Sequence, residues 1–349
     1  MCKSDLHSFL KALPKCEHHI HLEGALTPSL LFSLAERNHV KLSQDDPAFH
    51  SKDELLSRYS RFTSLDDFLQ YYYIGMSVLQ HASDFEALAW DYFTHAHADG
   101  VHHTEVFFDP QAHTSRGIAL STVTEGFNNA RSRAHRELGM STELICCFLR
   151  HLPLFDHRAL LSNVELQKQF ADSSIIGVGL DSSELTFPPE NFKEVFDEAG
   201  RLGLRRTAHA GEEGPASYIA NAIDVLHVGR IDHGIRLAED TKLMKAVVEE
   251  GLMLTVCPLS NVVLRCVSAV KDLPIRTFLD AGVRFSINSD DPAYFGGYIL
   301  DNYCAVQEAF HLTKNDWARI CRNGIEGSWC SQKRKDELMA VLVEVMKQA

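Results

Sequence analysis

Eight short apolar or β-branched runs, each bounded by turn residues, recur along the chain with longer helix-period stretches between them. They are His18 to Leu22, Val101 to Phe108, Thr142 to Leu149, Ile175 to Leu180, Leu204 to Ala208, Arg230 to His233, Leu252 to Val256 and Val283 to Asn288. An unbroken βα alternation of this kind leaves two architectures, a closed barrel or an open doubly wound sheet. The open form carries a Gly-rich phosphate loop after its first strand, and none follows here. The expectation is therefore an α/β fold, a (β/α)8 TIM barrel. Such barrels run past roughly 250 residues as one unit, so residues 1–349 read as a single domain, with no repeat, low-complexity tract or Pro/Gly-rich linker to divide them. Thr27 before Pro28 predicts a helix over Pro28 to Arg37, and Ser64 with Asp67 resembles a capping box opening one over Ser64 to Gln80. Asn38 to Gly100 is longer than a single crossover needs, which places extra helices over the barrel mouth.

Hydrophobic residues make up 45% and charged residues 23%, enough apolar material for a large core. The formal net charge of -13 argues against nucleic acid as partner, because a phosphate backbone calls for a basic face. Lys333-Arg334-Lys335 reads as a solvated helix face. A small uncharged or cationic molecule suits the charge balance better. Nine cysteines without a C-x-x-C pair read as free thiols of a reducing compartment. Met1 to Leu10 lacks the features of a secretory leader, and no run is long enough to span a membrane. A cytoplasmic location, with access to the nucleus, is the expectation; oligomeric state is not legible.

In a (β/α)8 barrel the chemistry sits at the C-terminal ends of the strands. The first run carries Glu17-His18-His19-Ile20-His21-Leu22-Glu23-Gly24, where alternation sends His19 and His21 to one face and His18 to the other. Two imidazoles on one face are half a metal site, or a pair of satisfied interior histidines. The fifth run ends in His209-Ala210-Gly211-Glu212-Glu213, the sixth in Asp232-His233-Gly234, and the eighth in Asn288-Ser289-Asp290-Asp291-Pro292. Adjacent carboxylates repel unless a cation or a proton separates their roles, and a metal on Asp290 would do so. Three neutral imidazoles and a carboxylate are ligands Zn2+ accepts, with a position left for water. A binuclear site bridged by a carbamylated lysine is disfavoured, since Ile176 to Glu184 at the fourth run contains no Lys. The small zinc deaminases pair H-x-E with P-C-x-x-C; His21-Leu22-Glu23 matches the first half, but the second is missing. Cys257 reads as a packed strand-end residue, Tyr71 to Tyr73 as helix packing, and His95, His97, His102 and His103 as lying at the wrong end of the second strand.

Five segments, His19 to Gly24, Thr207 to Glu212, Arg230 to Gly234, Thr255 to Asn261 and Ser286 to Pro292, resemble the adenosine/adenine deaminase family in content and order. Gly179 to Glu184 with Pro188-Pro189, and Pro292 to Tyr298, look like its adenine-using branch. The resemblance implies one zinc ion per chain on His19, His21, His209 and Asp290, with Glu212 as proton donor and His233 and Asp291 flanking the reacting centre. It further implies hydrolytic deamination at purine C6, in purine salvage, by a zinc-activated hydroxide, zinc lowering the pKa of bound water to about 7. Glu212 would protonate N1, and Asp291 would accept a hydrogen bond from N7 or its proton. Nucleoside-using members typically carry Asp at the position of Glu23 and Gly at that of Ser182. Glu23 is thus expected to fill space a ribose needs, and Ser182 to bond N3 or the N9 edge of a free base. The alternatives are an adenosine, AMP or N6-substituted adenine deaminase of the same fold, and a purine-binding barrel without chemistry.

Overall fold

The computed structural model describes residues 4–348, so the first three residues of the Met1 to Leu10 stretch lie outside the described residues. Eight parallel strands follow one another in chain order round a barrel: β1 Lys15–Glu17, β2 Val101–Phe108, β3 Ser141–Leu149, β4 Gly177–Asp181, β5 Arg205–Ala210, β6 Arg230–His233, β7 Met253–Val256 and β8 Arg284–Ile287. Beyond β8, the bonds His21 N–H to Asp290 O and Asp290 N–H to His19 O, both 3.0 Å, draw the last strand's end to the first's. Phe107, Ile145 and Cys147 fill the interior with Trp329 against them, while the larger apolar layer lies between sheet and helices.

The first strand is displaced from the expected run. Regular pairing covers Lys15–Glu17, and His18 to Leu22 continues with only isolated bridges, Ile20 to Asp290 and His21 to Phe107. The backbone there is shared between two neighbours: Ile20 O accepts from Phe107, whereas His19 O accepts from Asp290. It therefore belongs to neither ladder continuously. Alternation nevertheless holds, because His18 turns away to Ser286 Oγ and Ser328 Oγ while His19 and His21 face inward.

The helix Pro28–Arg37 has the predicted bounds, with Thr27 Oγ1 accepting from Leu30 N–H. The next predicted helix is shorter, Leu65–Met76. Ser64 caps it through Asp67 N–H, but Asp67 bonds Thr63 and Arg58 rather than completing a box. Lys52–Tyr59, Leu65–Met76 and Ala82–Ala98 follow Pro28–Arg37 in the long first crossover, and Leu65–Met76 reaches over the mouth. Among the described residues no helix is long and apolar enough to cross a membrane.

Candidate active site

His19 and His21, from the segment after β1, His209 on β5 and Asp290 after β8 present ligand atoms within 4.8 Å of one another, all buried. His21 Nε2 and His209 Nε2 lie 3.3 Å apart, and His19 Nε2 is 3.1 Å from Asp290 Oδ1 without a hydrogen-bond partner. Burial, with the neighbouring histidines, keeps the His209 imidazole neutral far below its ordinary range, and burial holds His21 down to about 4. Burial acts to raise the Asp290 carboxyl, yet the imidazoles of His19, His233 and His21 hold it well below the carboxylate range. Facing lone pairs of neutral imidazoles beside an ionised carboxylate repel until a cation lies between them, so the donor set fits a metal ion.

The supports of this group lie deeper in the barrel. His19 Nδ1 meets Thr255 Oγ1 at 2.9 Å, and Thr255 donates to Asp232 at 3.0 Å. Asp232 also accepts from Thr207 at 2.7 Å and lies 3.8 Å from His209 Nδ1. Asp181 Oδ2 is 3.5 Å from His21 Nδ1. Carboxylates behind the histidines fix ring orientation and basicity, as in metal sites generally. In the sequence Asp232 stands out only as part of the strand-end motif Asp232-His233-Gly234, and alternation on β6 is the signal that turns it inward.

Glu212, in the turn after β5, is buried, and burial with Asp290, Glu213 and Glu184 pushes its carboxyl well up, so it holds a proton. Its Oε2 is 3.5 Å from His233 Nε2, which is itself 3.8 Å from Asp290 Oδ2. Asn261 Nδ2 reaches Glu212 Oε1 at 3.5 Å and His233 Nδ1 at 3.3 Å. Asp291 follows with Oδ1 unpartnered, its carboxyl raised by burial and by Asp290. Gly24 lets it sit there, since a Cβ on residue 24 would overlap the Asp291 carboxylate. Ser182, His233 and Asp290 take left-handed backbone, φ 72°, 60° and 64°. For non-glycine residues this costs about 1–3 kcal/mol each, and such strain gathers at functional sites.

These residues line one cavity of about 30 Å³, walled by His21, Asp109, Asp181, Ser182, His209, Glu212, His233, Asp290 and Asp291 and roofed by Leu65, Phe68, Leu69, Tyr72 and Tyr73. Tyr72 and Tyr73 thus do more than pack their helix. Ser182 Oγ bonds His151 Nδ1 at 2.8 Å and Tyr73 OH at 3.3 Å. Glu23 does not line the cavity: it lies fully buried behind it, accepting from His113 Nε2 at 2.8 Å and Asp109 N–H at 3.1 Å. Cys257 is buried beside His19, His233 and Asp290, and burial raises its thiol far up, so it stays protonated. Asp109 and Asp181, at the ends of β2 and β4, escaped the sequence reading although strand-end position alone pointed to them. His103 bonds Glu105 and Ser141 at the opposite end of β2, as expected.

Residues 14–345 match the sequence family described as Adenosine deaminase. The adenine deaminase of Aspergillus oryzae is 58% identical over 340 residues, covering 97% of this chain and 96% of the relative. The crystal structure of adenine deaminase from Arthrobacter aurescens superposes with a TM-score of 0.90 at 44% identity, over 96% of this chain and 99% of that one. An amidohydrolase from Burkholderia ambifaria, solved with bound Zn, gives 0.87 at 25% identity, over 99% and 96%. The fold is that of metal-dependent hydrolases, and the buried His/Asp group lies at the strand ends, where such barrels carry their chemistry.

Proposed function

The chain belongs to the adenosine deaminase family, and on that premise we propose that it hydrolyses adenine to hypoxanthine and ammonia. Relatives named adenine deaminase, 50–58% identical over nearly the whole chain, support this substrate. The observation that carries the chemistry is Glu212, a buried carboxyl pushed well above the carboxylate range by burial and placed 3.5 Å from His233 beside the His/Asp group. We assign one Zn2+ to His19, His21, His209 and Asp290, in keeping with the neutral imidazole and carboxylate donors. Bound there, zinc supplies Lewis acidity and an activated water at neutral pH.

The chain's own residues do the rest. Glu212 places its proton at ring N1, so that electron density from the attacked C6 has somewhere to go. His233, between Glu212 and Asp290, holds the attacking oxygen by a hydrogen bond. Asp291, its carboxyl raised, shares a hydrogen bond with N7, and Ser182 Oγ faces N3. Leu65, Phe68 and Tyr73 exclude bulk water, which strengthens each of these polar contacts. Metal analysis of active protein should return one zinc equivalent per chain, with His209→Ala losing both metal and ammonia release from adenine. Two tightly held metals per active chain, or full activity in His209→Ala, would refute the assignment.

A further inference from the structure

Free adenine differs from its nucleosides at one ring atom that a protein can read directly: N9 carries a hydrogen instead of a sugar. The 9H form therefore offers one N–H donor on its ring perimeter and three acceptor nitrogens, N1, N3 and N7. A closed cavity specific for the base needs an acceptor for that donor, because an unpaired buried N–H is costly.

Two carboxylates in the cavity have unpartnered oxygens and no part in the scheme above, Asp109 and Asp181. Asp181, its Oδ2 3.5 Å from His21 Nδ1 and both oxygens unpartnered, lies on β4, whose sector of the mouth Ser182 already supplies. Asp109 is 1% exposed, with Oδ2 accepting from Tyr72 OH at 3.1 Å, Oδ1 without a fixed partner, and its carboxyl close to that of Asp181. Its backbone N–H is tied to Glu23, and Glu23 is tied to His113. Tyr72 thus holds the side chain from the roofing helix, and Glu23 holds the backbone of Asp109 from behind.

The order of the strands supplies the orientation. Round the barrel mouth the polar groups run Asp291 after β8, Asp109 after β2, Ser182 after β4 and Glu212 after β5. Round a purine the nitrogens run N7, N9, N3, N1. With N1 at Glu212, N3 at Ser182 and N7 at Asp291, as proposed above, N9 falls to Asp109. C6, between N1 and N7, then faces the sector between β5 and β8, where His209, His233 and Asp290 lie. We infer that Asp109 is a specificity-determining residue that accepts a hydrogen bond from N9–H of the free base and occupies the space an N9 substituent would take. Glu23 is the positioning residue behind it, which gives that side chain an indirect part in the selectivity expected of it. The inference rests on the adenine reading.

The test compares adenine with 9-methyladenine, which carries a methyl group in place of the N9 hydrogen, in the zinc-loaded enzyme and in Asp109→Ala. Wild type should favour adenine by at least about 100-fold in kcat/KM, well within the roughly 10⁴-fold available where a buried partner is stranded. In Asp109→Ala the ratio should fall below about tenfold, adenine losing most. Calorimetric binding of hypoxanthine against 9-methylhypoxanthine should narrow in parallel. Asp109→Ser, which leaves room for the methyl group and a hydroxyl for Tyr72, reads the same ratio should the alanine variant not fold. A merely structural role would lower both substrates together, so an unchanged ratio overturns the inference while leaving adenine deamination standing. Wild-type protein that releases no ammonia from adenine overturns the functional reading and this inference with it.

Discussion

Glu212 has two properties that seldom coincide in a carboxyl: it is buried among other acids, and it lies within reach of a histidine that faces the metal group. Replacing it by glutamine keeps the shape and the neutral charge but removes the transferable proton. Glu212→Gln should hold its zinc and bind purine while kcat falls by roughly 10²–10⁴-fold, the usual size of a lost general acid. Turnover within a few-fold of wild type, with metal content equal, would remove Glu212 from the role. At this scale, residues singled out by chemistry together with strand-end position, His19, His21, His209, Glu212, His233, Asp290 and Asp291, are ones the structure brings together at the barrel mouth. The sequence was misleading at Glu23, where a longer side chain suggested reach into the cavity. The chain instead folds that carboxylate back onto the backbone of Asp109 and the ring of His113, an outcome decided by neighbours some 90 residues away.

The turn that carries Glu212 is held by a single side chain. Glu184, beyond β4, accepts the backbone N–H groups of Gly211, Glu212, Glu213 and Gly214 at 2.6, 3.0, 2.9 and 3.0 Å. Arg150, buried after β3, donates to His209 O and to Phe187 O, bracing the end of β5 from the other side. Glu184→Ala would leave four N–H groups without their acceptor. It should cost on the order of 3 kcal/mol of stability and lower kcat more than Glu184→Gln, which retains one accepting oxygen. Thermal unfolding with parallel kinetics checks this, and a variant as stable and active as wild type would show that the turn holds itself. Glu184 was visible in the sequence only as part of a motif, because a nest of backbone donors has no signature in side-chain pattern. Strand ends were legible to within a few residues except at β1, where hydrogen bonds divided between two neighbours replace a regular ladder.

At the scale of the molecule, the βα alternation, with no Gly-rich loop after the first strand, was enough to specify the barrel, and the long first crossover was enough to specify a cover for its mouth. What that cover contributes was not legible: Tyr72 and Tyr73 follow helical spacing like any packed residues, and only the docking of Leu65–Met76 onto the barrel turns them into cavity wall. Leu65, Phe68, Leu69, Tyr72 and Tyr73 of this helix roof the cavity in which adenine is proposed to bind. With Asp109 and Ser182 proposed to meet the N9 and N3 edge of the free base, a ribose at N9 is selected against. That selectivity is the central claim. It is tested most directly by kcat/KM for ammonia release from adenine and from adenosine with the purified zinc enzyme. The account predicts an advantage for adenine of at least about 100-fold; equal efficiencies, or a preference for the nucleoside, would contradict it.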